Sequence, residues 1–200
     1  MARPRSFDAD AVLLAAEQQF RATGYAGTNV ETISAVTGLG RGSLYAAFGD
    51  KHDLFVRTVE GFCARNEAAL AKALAGPDDA ALGRLRAFLA AAARTGSEDG
   101  SLTCMATKAS VELEHRDEAV SQRIARSFEA MRGSIAGCVA AAQRHGDLDP
   151  RADPRQVADL IFTVQRGLDV LSRTSDCQTR AGIAESAFAM LPLTRPVPGQ

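Results

Sequence analysis

Apolar residues recur along most of this chain at steps of three and four, the spacing of one face of a helix. The first run, residues 8–23, opens at Asp8 and carries Val12, Leu13, Ala16 and Phe20 before stopping at Thr23-Gly24. A short second helix is predicted through about Val36, with Val30, Ile33 and Val36 on one side. Thr28 or Asn29 caps it, and Glu31, three residues after Thr28, completes a capping box. Gly38 breaks the chain, and Arg41 to Phe48 reads as a third helix with Leu44 and Phe48 facing inward. Asp50 caps a long helix from Lys51 to about Ala75, whose inner stripe includes Phe55, Val59 and Phe62 and which ends at Gly76-Pro77.

The same period continues to the far end. Residues 79–94, about 102–114, 117–145, 154–173 and about 176–190 each carry a helical stripe, and Gly96–Ser101 is a polar loop. In 154–173 the stripe is Val157, Leu160, Ile161, Val164, Leu168 and Leu171. No stretch alternates as a strand does, so the expectation is an all-α protein of about nine helices, with residues 191–200 a flexible tail.

The glycine-rich stretch GLGRGSLYAAFGDK, residues 38–51, raises a choice. A strand, a glycine turn and a helix hold the pyrophosphate of dinucleotides. Here Glu31, Thr32 and Ser34 interrupt the preceding segment, and G-x-G-x-G is not the G-x-G-x-x-G spacing. A helix-turn-helix fits better. Ile33, Val36 and Leu39 supply contacts between the helices, Ser34 and Ala35 are small enough to let them approach, and Gly38 takes the left-handed turn. Arg41, Gly42, Ser43 and Tyr45 are left facing outward.

Composition narrows the partners. The net charge is −1, and residues 1–57 balance six basic against six acidic side chains, so a nucleic-acid surface must come from local placement. Cys63, Cys104, Cys138 and Cys177 lie far apart, and the three histidines never join them at zinc spacing. Glu112-x-x-His115 lacks the second such motif that a di-metal bundle needs. No metal, cofactor or catalytic constellation is expected. The absence of a leader-like or membrane-length apolar run suggests a cytoplasmic protein with reduced thiols and no membrane partner.

The run TGYAGTNVETISAVTGLGRGSLYAAFGDKHDLF, with the helix before it, resembles the DNA-binding domain of the tetracycline-repressor (TetR) family. Thr28, Ile33, Gly38, Gly42, Ser43, Leu44, Tyr45, Phe48 and Lys51 carry the likeness over about residues 7–55. Gly40 stands where the family commonly has Ser, and Ala47 where it has His, which removes a cap and a backbone contact. The resemblance implies a DNA-binding head at 1–50 and a helical effector-binding and dimerisation body at 51–190. It also implies a homodimer on a double-stranded palindromic operator, most often a repressor, that responds to a small molecule.

Within that reading Tyr45 and Lys51 contact phosphates by resemblance. Arg41 forms a bidentate pair with a guanine edge or holds a phosphate, and Ser43 touches a base or a phosphate. Gly42 lets the helix sit close to the duplex, while Thr28 and Asn29 cap the second helix and donate to phosphate. Arg3 and Arg5 form a basic arm or a loose terminus. Val157, Leu160, Ile161, Val164, Leu168 and Leu171 are the expected dimer interface or an internal core seam. Phe62, Phe88, Met105, Phe128, Met131 and Phe162 are candidate lining for a mostly apolar effector, with Gln165 and Arg166 as polar handles. The rival readings are a thiol-based redox sensor acting through Cys104 or another cysteine, and a helical-bundle enzyme or metal-binding protein without a DNA role.

Overall fold

The computed structural model describes residues 7–94, 104–113 and 117–194. Its helices are α1 (Ala9–Thr23), α2 (Val30–Thr37), α3 (Arg41–Phe48), α4 (Lys51–Leu74), α5 (Ala81–Arg94), α6 (Met105–Leu113), α7 (Glu118–His145), α8 (Pro154–Leu171) and α9 (Cys177–Ala189). Among the described residues there is no strand beyond a single bridge between Leu148 and Leu193. The all-α expectation holds.

The chain forms two compact units. The first takes Met1–Arg65 with Cys104–Ala125, and the second takes Asn66–Thr103 with Arg126–Gln200. The first unit thus takes α1, α2 and α3 together with the part of α4 up to Arg65.

The first unit is centred on Phe20, Ile33, Leu44, Phe48, Phe55 and Val59, all buried. Phe20 and Phe55 meet edge to face at 4.9 Å, and Tyr25 packs on Phe55 at the same centroid distance. Glu17 is buried beside them and is paired with Arg65 and Arg21. Burial pushes its carboxyl above the ordinary range, against the pull of both arginines.

The second unit has a larger apolar core in which Leu85, Leu89, Ile135, Val139, Leu148, Ile161, Leu168 and Phe188 interdigitate. Arg180 is also buried there. Its Nε donates to the Ala93 carbonyl at 2.9 Å, and a second nitrogen reaches the Ser175 carbonyl, so α9 caps the last turn of α5. The expected loose tail starts later than residue 191. Leu191 is buried, Leu193 bridges to Leu148, and the Thr194 amide donates to the Asp147 carbonyl at 3.0 Å. These apolar residues cover the unit's own core, while 195–200 lie outside the described residues.

Candidate nucleic-acid interface

The turn between α2 and α3 is three residues long. Gly38 adopts φ 68°, ψ 9°, the left-handed conformation that costs glycine little and a β-branched residue much. Leu44, Ala47 and Phe48 anchor α3 from behind. Arg41, Gly42, Ser43 and Tyr45 all face solvent, Tyr45 with 49% of its surface exposed. This is the outward set read from the sequence. Gly40 precedes α3 without any side-chain cap, as its replacement of the family's serine implies.

Helix α2 departs from its expected pattern in two respects. Its cap is Asn29, whose Oδ1 accepts from the Thr32 amide at 2.8 Å. Thr28 is buried, and its hydroxyl donates to the Gly24 carbonyl at 2.6 Å. The capping box with Glu31 therefore does not form, and Thr28 offers a duplex no side-chain contact in this conformation. Val36 is 46% exposed rather than packed against α3. Each three-residue step falls about 60° short of a full turn, so two steps from Val30 carry Val36 off the buried face that Ile33 occupies.

Lys51 sits at the first turn of α4 with two of its donors already in use. Its Nζ donates to the carbonyls of Tyr25 and Thr28, each at 3.0 Å, and lies 4.2 Å from the centre of the Tyr25 ring. Asp50 and Asp53 form a reciprocal box at the same helix start, with amide-to-carboxylate distances of 2.9 and 3.1 Å. Arg57 donates to the Ala47 carbonyl and closes the end of α3. Arg3 and Arg5 lie outside the described residues.

Sequence reasoning missed a second set of ties in this unit, made by α6 and the residue before α7. Lys108 donates to the carbonyls of Arg21 and Ala22 at the end of α1, at 3.2 and 3.3 Å. Glu112 accepts from the Tyr25 amide at 2.8 Å, so the carboxylate of the Glu112-x-x-His115 motif is spent on a backbone donor. His115 itself lies outside the described residues. His52 meets Asp117 at 2.5 Å. Burial pushes the Asp117 carboxyl up, but the Val120 amide and His52 outweigh it and hold it below the usual value. The available signal was a short helix bearing one lysine and one glutamate four residues apart. Nothing in that spacing names their backbone partners.

The candidate effector residues are drawn from both units. Phe62 and Met105 belong to the first unit, and Phe88, Phe128, Met131, Phe162, Gln165 and Arg166 to the second. Phe128 and Phe162 meet at 5.2 Å, and the Arg166 guanidinium lies 5.6 and 5.2 Å from their ring centres. Arg166 also donates to the side-chain Oε1 of Gln165 and, at 3.2 Å, pairs with the buried carboxylate of Asp169. Asp169 is the member of this cluster that the sequence reading overlooked. A cleft of about 270 Å³ lies elsewhere in the unit, among Leu74, Gly76, Arg84, Cys138, Ala141 and Arg144, and none of the eight candidates lines it.

The expected dimer seam on α8 splits in two. Val157, Ile161 and Leu168 are buried in their own unit's core, and Val164 packs against it. Leu171 is half-buried. Of the six only Leu160, 47% exposed, faces fully outward; Val170 of α8, Ile183 of α9 and Met190, just after α9, are also exposed. A stripe this wide covers more than one side of a helix, and its inner half is consumed at home. Among the described residues, no helix is long and apolar enough to cross a membrane.

Comparison with known proteins bears directly on the first unit. The family "Bacterial regulatory proteins, tetR family" matches residues 12–58, and "Tetracyclin repressor-like, C-terminal domain" matches 81–188. The HTH-type transcriptional repressor BdcR of Escherichia coli is 30% identical over 198 residues, spanning 94% of this chain and 93% of that protein. The uncharacterized HTH-type transcriptional regulator YezE of Bacillus subtilis is 35% identical over 77 residues, 38% of this chain and 40% of that protein. Among solved structures, a cysteine mutant of the TetR family regulator CifR, complexed with 26bp double-strand operator DNA, shares the fold with a TM-score of 0.77. It is 24% identical, with 95% of this chain and 100% of that one covered. Helix-turn-helix geometry, both family matches and a relative similar over nearly its whole length agree: the chain belongs to the TetR family of transcriptional regulators.

Proposed function

We propose that this regulator is a repressor that binds a palindromic operator in double-stranded DNA as a homodimer and leaves it when a small, mostly apolar effector binds. The observation that carries the DNA reading is the division of α3, with Leu44, Ala47 and Phe48 in the core and Arg41, Ser43 and Tyr45 in solvent. A recognition helix needs that division, because side chains must reach base edges and phosphates while the helix stays anchored. The relative BdcR is named a transcriptional repressor, and the fold neighbour CifR is seen on operator DNA.

Dimerisation is supported by the outward side of α8 and α9. Leu160, Val170, Ile183 and Met190 are exposed there, and Gly167 and Gly182 would admit a Cβ into open space. The open space over those two glycines leaves room for close packing of a symmetric partner. The effector reading rests on Phe128, Phe162 and Arg166, which offer aromatic faces beside a polar cluster. Of the thiols, Cys63 and Cys138 are buried, and burial pushes the Cys138 thiol up, so a redox response would fall to Cys104 or Cys177.

Selection of random duplexes by the purified protein tests the proposal. Enrichment of one palindrome, with affinity falling steeply as salt rises, is the expected result. Retention of unrelated sequences with equal affinity would overturn it.

A further inference from the structure

Arg41 is the first residue of α3, and its guanidinium is ion-paired with Glu31 in the first turn of α2. Both side chains remain more than half exposed, at 59% and 54%, so the pair stands on the surface that α3 presents. Solvent makes such a pair weak as a source of stability. Its effect on geometry is another matter. A long arginine in solvent samples many rotamers, and one tied to a carboxylate on a neighbouring helix is already aimed before it meets a ligand.

The glycines flanking Arg41 strengthen the point. Gly40 has φ −64°, a conformation open to any residue, and Gly42 lies inside α3. A Cβ at either position would meet nothing within 4 Å. Glycine at position 42, inside the first turn, weakens the helix, and at position 40 it supplies no side-chain cap. The result is an arginine with no side chain on either neighbour, at the tip of a helix whose backbone is left open on that side.

Resting on the DNA-binding reading above, we propose that Glu31 is a specificity-determining residue, holding Arg41 for a guanine edge and away from the phosphates. A free arginine near DNA takes the nearest phosphate, a contact without sequence information. The Glu31 carboxylate repels phosphate and keeps the guanidinium beside it. The remaining guanidinium donors are then presented to the N7 and O6 acceptors of guanine. Glu31 thereby converts a general electrostatic contact into a base-selective one.

The test measures binding of the full-length protein to its selected duplex and to duplexes with each guanine replaced in turn, across a salt series. Wild type is expected to lose about tenfold or more in affinity when one particular guanine of the half-site is changed. Arg41→Ala removes that preference. Glu31→Ala keeps the protein on DNA, lowers the preference severalfold, raises affinity for unrelated duplexes and steepens the salt slope by about one per half-site. Glu31→Gln, which keeps a hydrogen bond without the charge, falls between. In the Arg41→Ala background, Glu31→Ala leaves base preference unchanged. A Glu31→Ala protein with undiminished guanine preference and an unaltered salt slope overturns the proposal, as does Arg41→Ala with preference intact. A wild type that selects no sequence overturns the DNA reading itself, a result distinct from both.

Discussion

Two surfaces of this molecule are the outer sides of amphipathic helices, and they differ in what they leave in water. On α3 the exposed residues are Arg41, Gly42, Ser43, Tyr45 and Ala46, none of them a large aliphatic group. On α8 and α9 they include Leu160, Val170, Ile183 and Met190, the last 80% exposed. The first surface is at home in water, and its partner must be read from the chemistry of individual side chains. The second leaves large apolar groups partly hydrated. Full burial of each such side chain brings ~1.5–3 kcal/mol, a fraction of which would be recovered by an apolar cover. A second copy supplies a self-complementary one. Under the proposed function one face addresses DNA and the other a second copy of the chain, and a regulator on a palindrome needs both.

The largest expected effect comes from breaking the second face. Replacing Leu160 and Val170 with glutamate places charge on an apolar interface, and hot-spot positions there cost about 2 kcal/mol or more each. Light scattering should then report a species of 21.1 kDa in place of one twice that mass. Specific DNA affinity should fall by orders of magnitude. An unchanged dimer would show that copies meet elsewhere.

Smaller changes sharpen the first face. Tyr45→Phe removes one hydroxyl and should weaken binding by about 0.5–1.5 kcal/mol on every sequence alike, since a phosphate contact carries no sequence information. A sequence-dependent loss in anisotropy titrations would place Tyr45 on a base instead.

The smallest effects follow pH and should run in opposite directions in the two units. Asp149 is held down at about 2 by the Arg151 side chain and amide. A depressed carboxyl stabilises the fold above its ordinary value of 3.8 and loses that contribution as pH falls toward 2. Glu17 is raised above 4.5 by burial, so its contribution is present in acid and is lost as pH rises through the folded value. Thermal melts of Asp149→Asn and Glu17→Gln beside wild type, from about pH 3 to 7, should show the two differences sloping oppositely. Parallel slopes would contradict the assignment of burial to one and pairing to the other.

The helices and the outward set of α3 were legible because both follow from local periodicity and from glycines at helix ends. Every helix predicted between residues 8 and 190 has its counterpart, Gly38 turns the chain where expected, and the predicted Gly96–Ser101 loop lies outside the described residues. What stayed hidden depends on which segments meet. Thr28 and Asn29 are equally good caps by composition, and burial of Thr28 against Gly24 and Thr23 decides between them. Lys51 looks like a free cation until the Tyr25 and Thr28 carbonyls are placed beside it. Leu160 and Ile161 are adjacent and equally apolar, yet one is 47% exposed and the other 1%. Only the packing of α8 on α5 and α9 separates the face kept inside from the face offered to a partner.

The claim that both faces act together is tested most directly by the spacing of the operator. A symmetric helix-turn-helix dimer places its recognition helices about one DNA turn apart, ~34–36 Å. Inserting about 5 base pairs between the selected half-sites turns one of them to the opposite side of the duplex, while about 10 return it to the same side. The account predicts two chains on the parent duplex and a collapse of affinity to the non-specific level with the half-turn insertion. Binding that ignores the half-turn insertion would contradict it, because each head would then be reading its half-site independently of the other.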